Sequence, residues 1–136
     1  MNLSSARSIV LCRLVPSLGV ATVLFFVGCS GAPSVHSVIV KNDSDSVISD
    51  VIVELDDGAW ERRLGVVGNR NDASITPNKN ISIPSKATIE WMTRDRKVQR
   101  QIAVSEELDT PSSEGDLVFT INQSQEVRVS WKPRKQ

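Results

Sequence analysis

From residue 35 onward the chain alternates. Apolar side chains recur at every second position over short runs, and polar turns separate the runs. Successive side chains of a strand point to opposite faces, so this period predicts half-buried β-strands. Val35 to Lys41 is the first, with Val38 and Val40 on one face and Ile39 on the other. Asn42 to Ser46 is a polar turn built of residues that bond their own backbone. Val47 to Leu55 follows, with Val47, Val51, Val53 and Leu55 in one parity and Ser49 out of keeping with them. Ile48 and Ile52 fall on the other face. Asp56-Asp57-Gly58 turns the chain into Trp60 to Val67, a less regular strand broken by Glu61, Arg62 and Arg63. Residues 68–80, rich in Gly, Asn, Asp and Pro, read as a surface loop. Ile81 to Ile83 is a short strand stopped by Pro84.

The second half is clearer. Ala87, Ile89 and Trp91 alternate with Thr88, Glu90 and Met92, and Val98 to Val104 returns after the charged turn Arg94-Asp95-Arg96-Lys97. That is a hairpin pattern. Ser105 to Gly115 is a polar, acidic loop broken by Pro111. Leu117, Phe119 and Ile121 then alternate inward, Asn122 to Gln125 turns, and Val127, Val129 and Trp131 alternate inward again. No helical period is convincing. Short strands at such spacing predict an all-β, antiparallel β-sandwich, immunoglobulin-like or fibronectin-like, of about seven strands. A small β-barrel is the alternative. The Cys…Trp…Cys spacing of true immunoglobulin domains is absent. Behind residue 28 there are 13 Val and 9 Ile against 4 Leu, and branching at Cβ suits a pleated surface better than a helix.

The first 30 residues break the alternation. A polar start carries Arg7 and Arg13 and no acid, and an uninterrupted apolar run extends from Leu18 to Val27. Ten helical residues reach about 15 Å, half of a hydrocarbon core, so the run suits an export signal better than a span. Its end, Phe26-Val27-Gly28-Cys29, resembles the lipobox of bacterial lipoproteins, with Phe26 where Leu is usual. The resemblance covers only this segment. It implies a diacylglyceryl group on Cys29, removal of residues 1–28 by cleavage between Gly28 and Cys29, and a lipidated N-terminus. It also implies a place in the bacterial cell envelope. Ser30, where Asp would favour the inner membrane, points to the outer membrane, facing the periplasm. Two or three acyl chains hold a protein durably where one does not. Residues 29–34 then form a tether whose last four residues reach about 13 Å. Residues 35–132 form the sandwich and 133–136 a polar tail.

The whole chain balances 16 basic against 16 acidic side chains, and the part behind residue 28 keeps 14 of the basic ones. This argues against nucleic acid as a partner, which calls for a basic excess. Cys12 falls inside the signal and Cys29 is taken by lipid, so no disulfide and no Cys nucleophile is expected. His36 is the single histidine, too little for a zinc site or a supported triad. The oxygens of Asn42 to Ser46 and Asp50 are of the kind calcium takes, yet ordinary hairpin turns look the same. Asp56-Asp57 and Glu106-Glu107 read as solvated turn charge rather than a carboxylate pair across a cleft. No cofactor, no metal and no enzymatic activity is expected.

What is left is surface. Arg94, Arg96, Lys97 and Arg100, joined by Lys132, Arg134 and Lys135 of the tail, form a candidate contact for anionic lipid or glycan. Trp60, which follows a Gly turn, is the best candidate of the three tryptophans for exposure and surface contact, because Trp91 and Trp131 run in phase with inward aliphatics. The expected function is a lipid-anchored envelope lipoprotein acting as a non-enzymatic binding or structural module, its partners the membrane and an envelope protein or glycan. The alternative is a periplasmic inhibitor or immunity-type protein capping an enzyme or toxin.

Overall fold

The computed structural model describes residues 32–109, 111 and 113–134. Nine strands and one helical turn follow in order: β1 (Ser34–Asn42), β2 (Ile48–Leu55), β3 (Trp60–Val67), β4 (Asn71–Ile75), β5 (Ile81–Ser82), β6 (Ala87–Met92), β7 (Lys97–Ile102), α1 (Val104–Glu107), β8 (Gly115–Ile121) and β9 (Val127–Pro133). One sheet has the order β4-β1-β8-β9, with β5 also paired to β1, and the other has the order β3-β2-β6-β7. The result is a β-sandwich; neither sheet closes into a barrel. Pairing is antiparallel throughout except between β1 and β8, which run parallel from Val35↔Gly115 to Asn42↔Ile121.

The core is the set of inward residues that the alternation picks out. Val38, Val40, Val53, Leu55, Ile89, Trp91, Leu117, Phe119 and Ile121 are all buried. Burying each aliphatic or aromatic side chain of this kind stabilises the fold by roughly 1.5–3 kcal/mol. The hairpin β6–β7 and the pair β8–β9 stand where the alternation puts them, from Trp91↔Val98 to Phe119↔Val129.

Three expectations need correction. First, the 68–80 stretch contains β4, which pairs with β1 from Val38↔Ile75 to Asn42↔Asn71. Its only apolar inward residues are Ala73 and Ile75, both half-buried. Its conformation comes from the neighbouring strand, which supplies the hydrogen bonds, and not from its own pattern. Second, the acidic loop begins with the single helical turn α1, whose Val104 is buried. Third, the faces of β2 are exchanged at its start. Ile48 is fully buried while Val47 is 54% exposed. The cause is a bulge: Asp50 has φ 50° and adds one residue to β2 relative to both neighbours. An extra residue reverses inside and outside for everything before it. On β3 a compensating irregularity at Gly65, φ 83°, brings Val67 inward and leaves Val66 67% exposed.

The sandwich has two distinct ends. The chain enters at residue 32 at what we call the near end, with Leu55, Ala87, Ile102, Gly115 and Pro133 in the surrounding strand ends. β1 then carries it to the far end, where Asn42 lies beside Asn71 and Ile121. The nine residues of β1 separate the two ends by roughly 27 Å at strand rise.

Candidate functional site

Loops 43–47, 68–70, 93–96 and 122–126 meet at the far end. Loops 43–47, 68–70 and 122–126 are held by buried or cross-sheet bonds, and the 93–96 tip by its own local ones. Asn42 is fully buried, and its amide nitrogen donates to the carbonyls of Ser46 at 2.7 Å, Gly68 at 3.0 Å and Val67 at 3.3 Å. Its amide oxygen accepts from the Ser44 hydroxyl at 2.6 Å and the Ser44 amide at 3.1 Å. One side chain thus ties the β1–β2 turn to the β3–β4 link. The 122–126 turn is tied to the other sheet: Trp91 Nε1 donates to Gln125 Oε1 at 2.9 Å and Arg100 Nε to the Gln125 carbonyl at 3.0 Å. Thr93 closes the β6–β7 tip, its amide donating to the Arg96 carbonyl at 2.9 Å.

Between loops 43–47, 93–96 and 122–126 and the start of β2 lies an open groove of about 1050 Å³. Asp45, Val47, Asp50, Met92, Arg94 and Arg96 are among the residues that line it. The lining is unevenly neutralised. Asp45 pairs with Arg70 at 3.0 Å and Asp50 with Arg63 at 3.3 Å. Arg94 and Arg96 have no carboxylate within ion-pair distance among the described residues, while Lys97 is paired with Glu90.

The near end is fastened at its surface. Asp56, at φ 45°, accepts on Oδ1 from the Ser85 hydroxyl at 2.8 Å, the Ser85 amide at 2.9 Å and the Lys86 amide at 3.2 Å. Lys86 bonds Asp57, and that bond, opposed by desolvation and helped by the charges of Asp57, Asp56 and Glu54, raises its pKa. His36 Nδ1 lies 3.2 Å from Glu114 and its Nε2 lies 2.9 Å from the guanidinium of Arg134.

Measured against the candidate sites, the structure divides one cluster and buries one candidate contact. Arg94, Arg96 and Lys97 stand at the far end, whereas Lys132 and Arg134 stand beside residue 32 at the near end. The two groups make no common surface, and the hairpin tip points away from the side on which the chain enters. Trp60, the candidate for exposure, is buried at 4% exposed. It opens β3 opposite Leu55 and packs into the core, with the Arg62 guanidinium 5.7 Å from its ring centroid. Trp91 is fully buried as its phase implies, and Trp131 is half-buried against the core. The oxygen-rich turn is consumed by its own bonds and by Lys41 and Arg70, and no group of three or more His, Cys, Asp or Glu able to hold a metal occurs among the described residues. Cys29, Gly28, Ser30 and Lys135 lie outside the described residues. No helix among the described residues is long and apolar enough to cross a membrane. Sequence reasoning missed Val47 and Gln125. The Ser49 mismatch in the β2 alternation is the one signal that marks the bulge behind Val47.

No family model matches the chain, and no curated protein matches it. A protein from Eubacterium rectale, solved by NMR, is similar in structure with a TM-score of 0.50. The match covers 75% of this chain and 91% of that one at 10% identity. At that identity the likeness is one of fold.

Proposed function

We propose that the protein is a lipid-anchored lipoprotein of the bacterial envelope, held through Cys29 in the outer membrane facing the periplasm, and that it acts as a non-enzymatic binding module. The observation that carries this reading is the placement of the two ends. The chain enters the sandwich at one end, and the groove with Arg94 and Arg96, which have no ion-pair partner among the described residues, lies at the other, roughly 27 Å away along β1. An anchor just before residue 32 would set the near end against the lipid and present the far end to a partner in the periplasm. Capping of an enzyme or toxin is the same surface used on a single partner.

Lipid contact by the arginine hairpin is not part of this proposal, because an anchored molecule holds that hairpin away from the headgroups. Two measurements test the rest. Metabolic labelling with a fatty-acid probe should mark the wild type and not Cys29→Ser; equal labelling of both removes the anchor. A photo-crosslinking residue placed at Val47 should capture an envelope component in cells, whereas one at Lys79 near the anchored end should not. Capture from Lys79 alone reverses the assignment of ends.

A further inference from the structure

Resting on the reading of the far end as the presented face, we propose that its groove binds an acidic peptide segment, with a carboxylate set beside an aliphatic side chain. Charge argues for the anion. The groove carboxylates Asp45 and Asp50 are already matched by Arg70 and Arg63, so they leave little field for a cation. Arg94 and Arg96 are exposed at the tip of a closed hairpin and have no carboxylate in reach among the described residues. Asp95 between them offsets one charge and leaves one in excess. Two guanidiniums on one turn offer planar donor pairs, the geometry that suits carboxylate. The hydroxyls of Ser46 and Ser49 also line the groove, and neither donates to another group among the described residues.

Apolar surface argues for the neighbour. Val47 is 54% exposed, turned out by the bulge at Asp50, and lies in the groove with the half-buried Met92. Rotation of Val47 to the outside costs the core nothing, because Ile48 fills its place. A partner that covers it gains the burial the fold does not use. The volume of about 1050 Å³ suits several peptide residues rather than a small ion. Part of the frame is also set in advance: Asn42 and the Trp91–Gln125 bond fasten the 43–47, 68–70 and 122–126 loops before any ligand arrives, which lowers the ordering cost of binding.

The test uses the full-length protein and two capped pentapeptides, one alternating leucine with glutamate and one alternating leucine with glutamine. Fluorescence anisotropy should show the glutamate peptide binding with a dissociation constant of about 10–100 μM and the glutamine peptide at least ~10-fold weaker. Raising salt to about 0.5 M should weaken the first and not the second. The double substitution Arg94→Gln with Arg96→Gln should erase the difference between the peptides while leaving the unfolding midpoint unchanged. Val47→Ser should weaken both peptides by about 3-fold. Equal binding of the two peptides overturns the proposal. So does a double variant that binds like the wild type, or the absence of saturable binding by about 1 mM. Failure here with intact fatty-acid labelling sinks the acidic-peptide inference and leaves the anchor standing. Binding without labelling does the reverse.

Discussion

The two ends of the sandwich are built from the same residue types and held in different ways. At the far end the main fastening bonds are buried or partly so. Asn42 is fully enclosed and donates to three carbonyls from two separate links, and Trp91 reaches across the core to Gln125. At the near end the equivalent bonds are exposed to water: Asp56 to Ser85 and Lys86, His36 to Glu114 and Arg134. A buried hydrogen bond has no water to replace it, so breaking it costs the full desolvation of the groups left behind. An exposed one is exchanged for water at little cost. The lesson is that loop stiffness here follows the burial of the clamp and not the number of polar residues in the turn. A groove placed among stiff loops can stay open without a ligand; loops held only at the surface adapt to whatever lies against them.

Substitutions can break that contrast. The largest effect is expected from Asn42→Ala, which removes a buried donor to the carbonyls of Ser46, Val67 and Gly68 and should lower stability by about 2–4 kcal/mol in urea unfolding. Amide exchange should then rise in the 43–47 and 68–70 loops before it rises elsewhere. Gly115→Ala comes next. Its added Cβ would lie 2.6 Å from the Trp131 ring and 2.7 Å from the Lys132 carbonyl. Neither can move freely inside the β8–β9 pairing, so a loss of about 1–3 kcal/mol is expected, read as a lower midpoint with an unchanged slope. Asp56→Ala should cost only about 1–2 kcal/mol, because water replaces the three hydrogen bonds it removes and what is left is chiefly the strain of Ala at φ 45°. If Asp56→Ala proves as damaging as Asn42→Ala, the contrast between the ends is wrong.

The smallest effect concerns pH. The pKa of Lys86 is raised above its ordinary 10.5 by the bond to Asp57 and the neighbouring acids. The folded state therefore holds the proton more tightly than the unfolded chain does. The resulting stabilisation is fully present below 10.5 and is lost as pH rises through the higher folded value. Unfolding of the wild type and of Lys86→Met, followed from neutral pH to above that range, should converge at the alkaline end. Parallel curves would show that the pair contributes nothing, as many exposed pairs do.

Much of the architecture was readable in advance. Where alternation was sustained, as in Leu117-Phe119-Ile121 and Val127-Val129-Trp131, the strands stand as the pattern places them. The β6–β7 hairpin was equally plain. The errors came where one residue outweighed the pattern. Asp50 in a left-handed conformation moved Val47 outward and Ile48 inward, and a parity count has no means of seeing that. Trp60 looked like a turn-flanking, exposable residue, and only its place opposite Leu55 buried it. Asn42 looked like one polar turn residue among five. Its role depends on the carbonyls of Val67 and Gly68, which are 25 and 26 residues away in the chain.

By itself the sequence determined the all-β class, most strand positions and the expectation of an anchor at Cys29, because each rests on a local period or a contiguous motif. Only the tertiary structure decided that β1 runs parallel to β8 and that β4 exists. It alone parts Arg94 and Arg96 from Lys132 and Arg134, at opposite ends of the molecule. Period two says which face a side chain takes, but it carries no information about which strands become neighbours. Neighbourhood is settled by packing of the whole core, and the far-end groove is a product of neighbourhood.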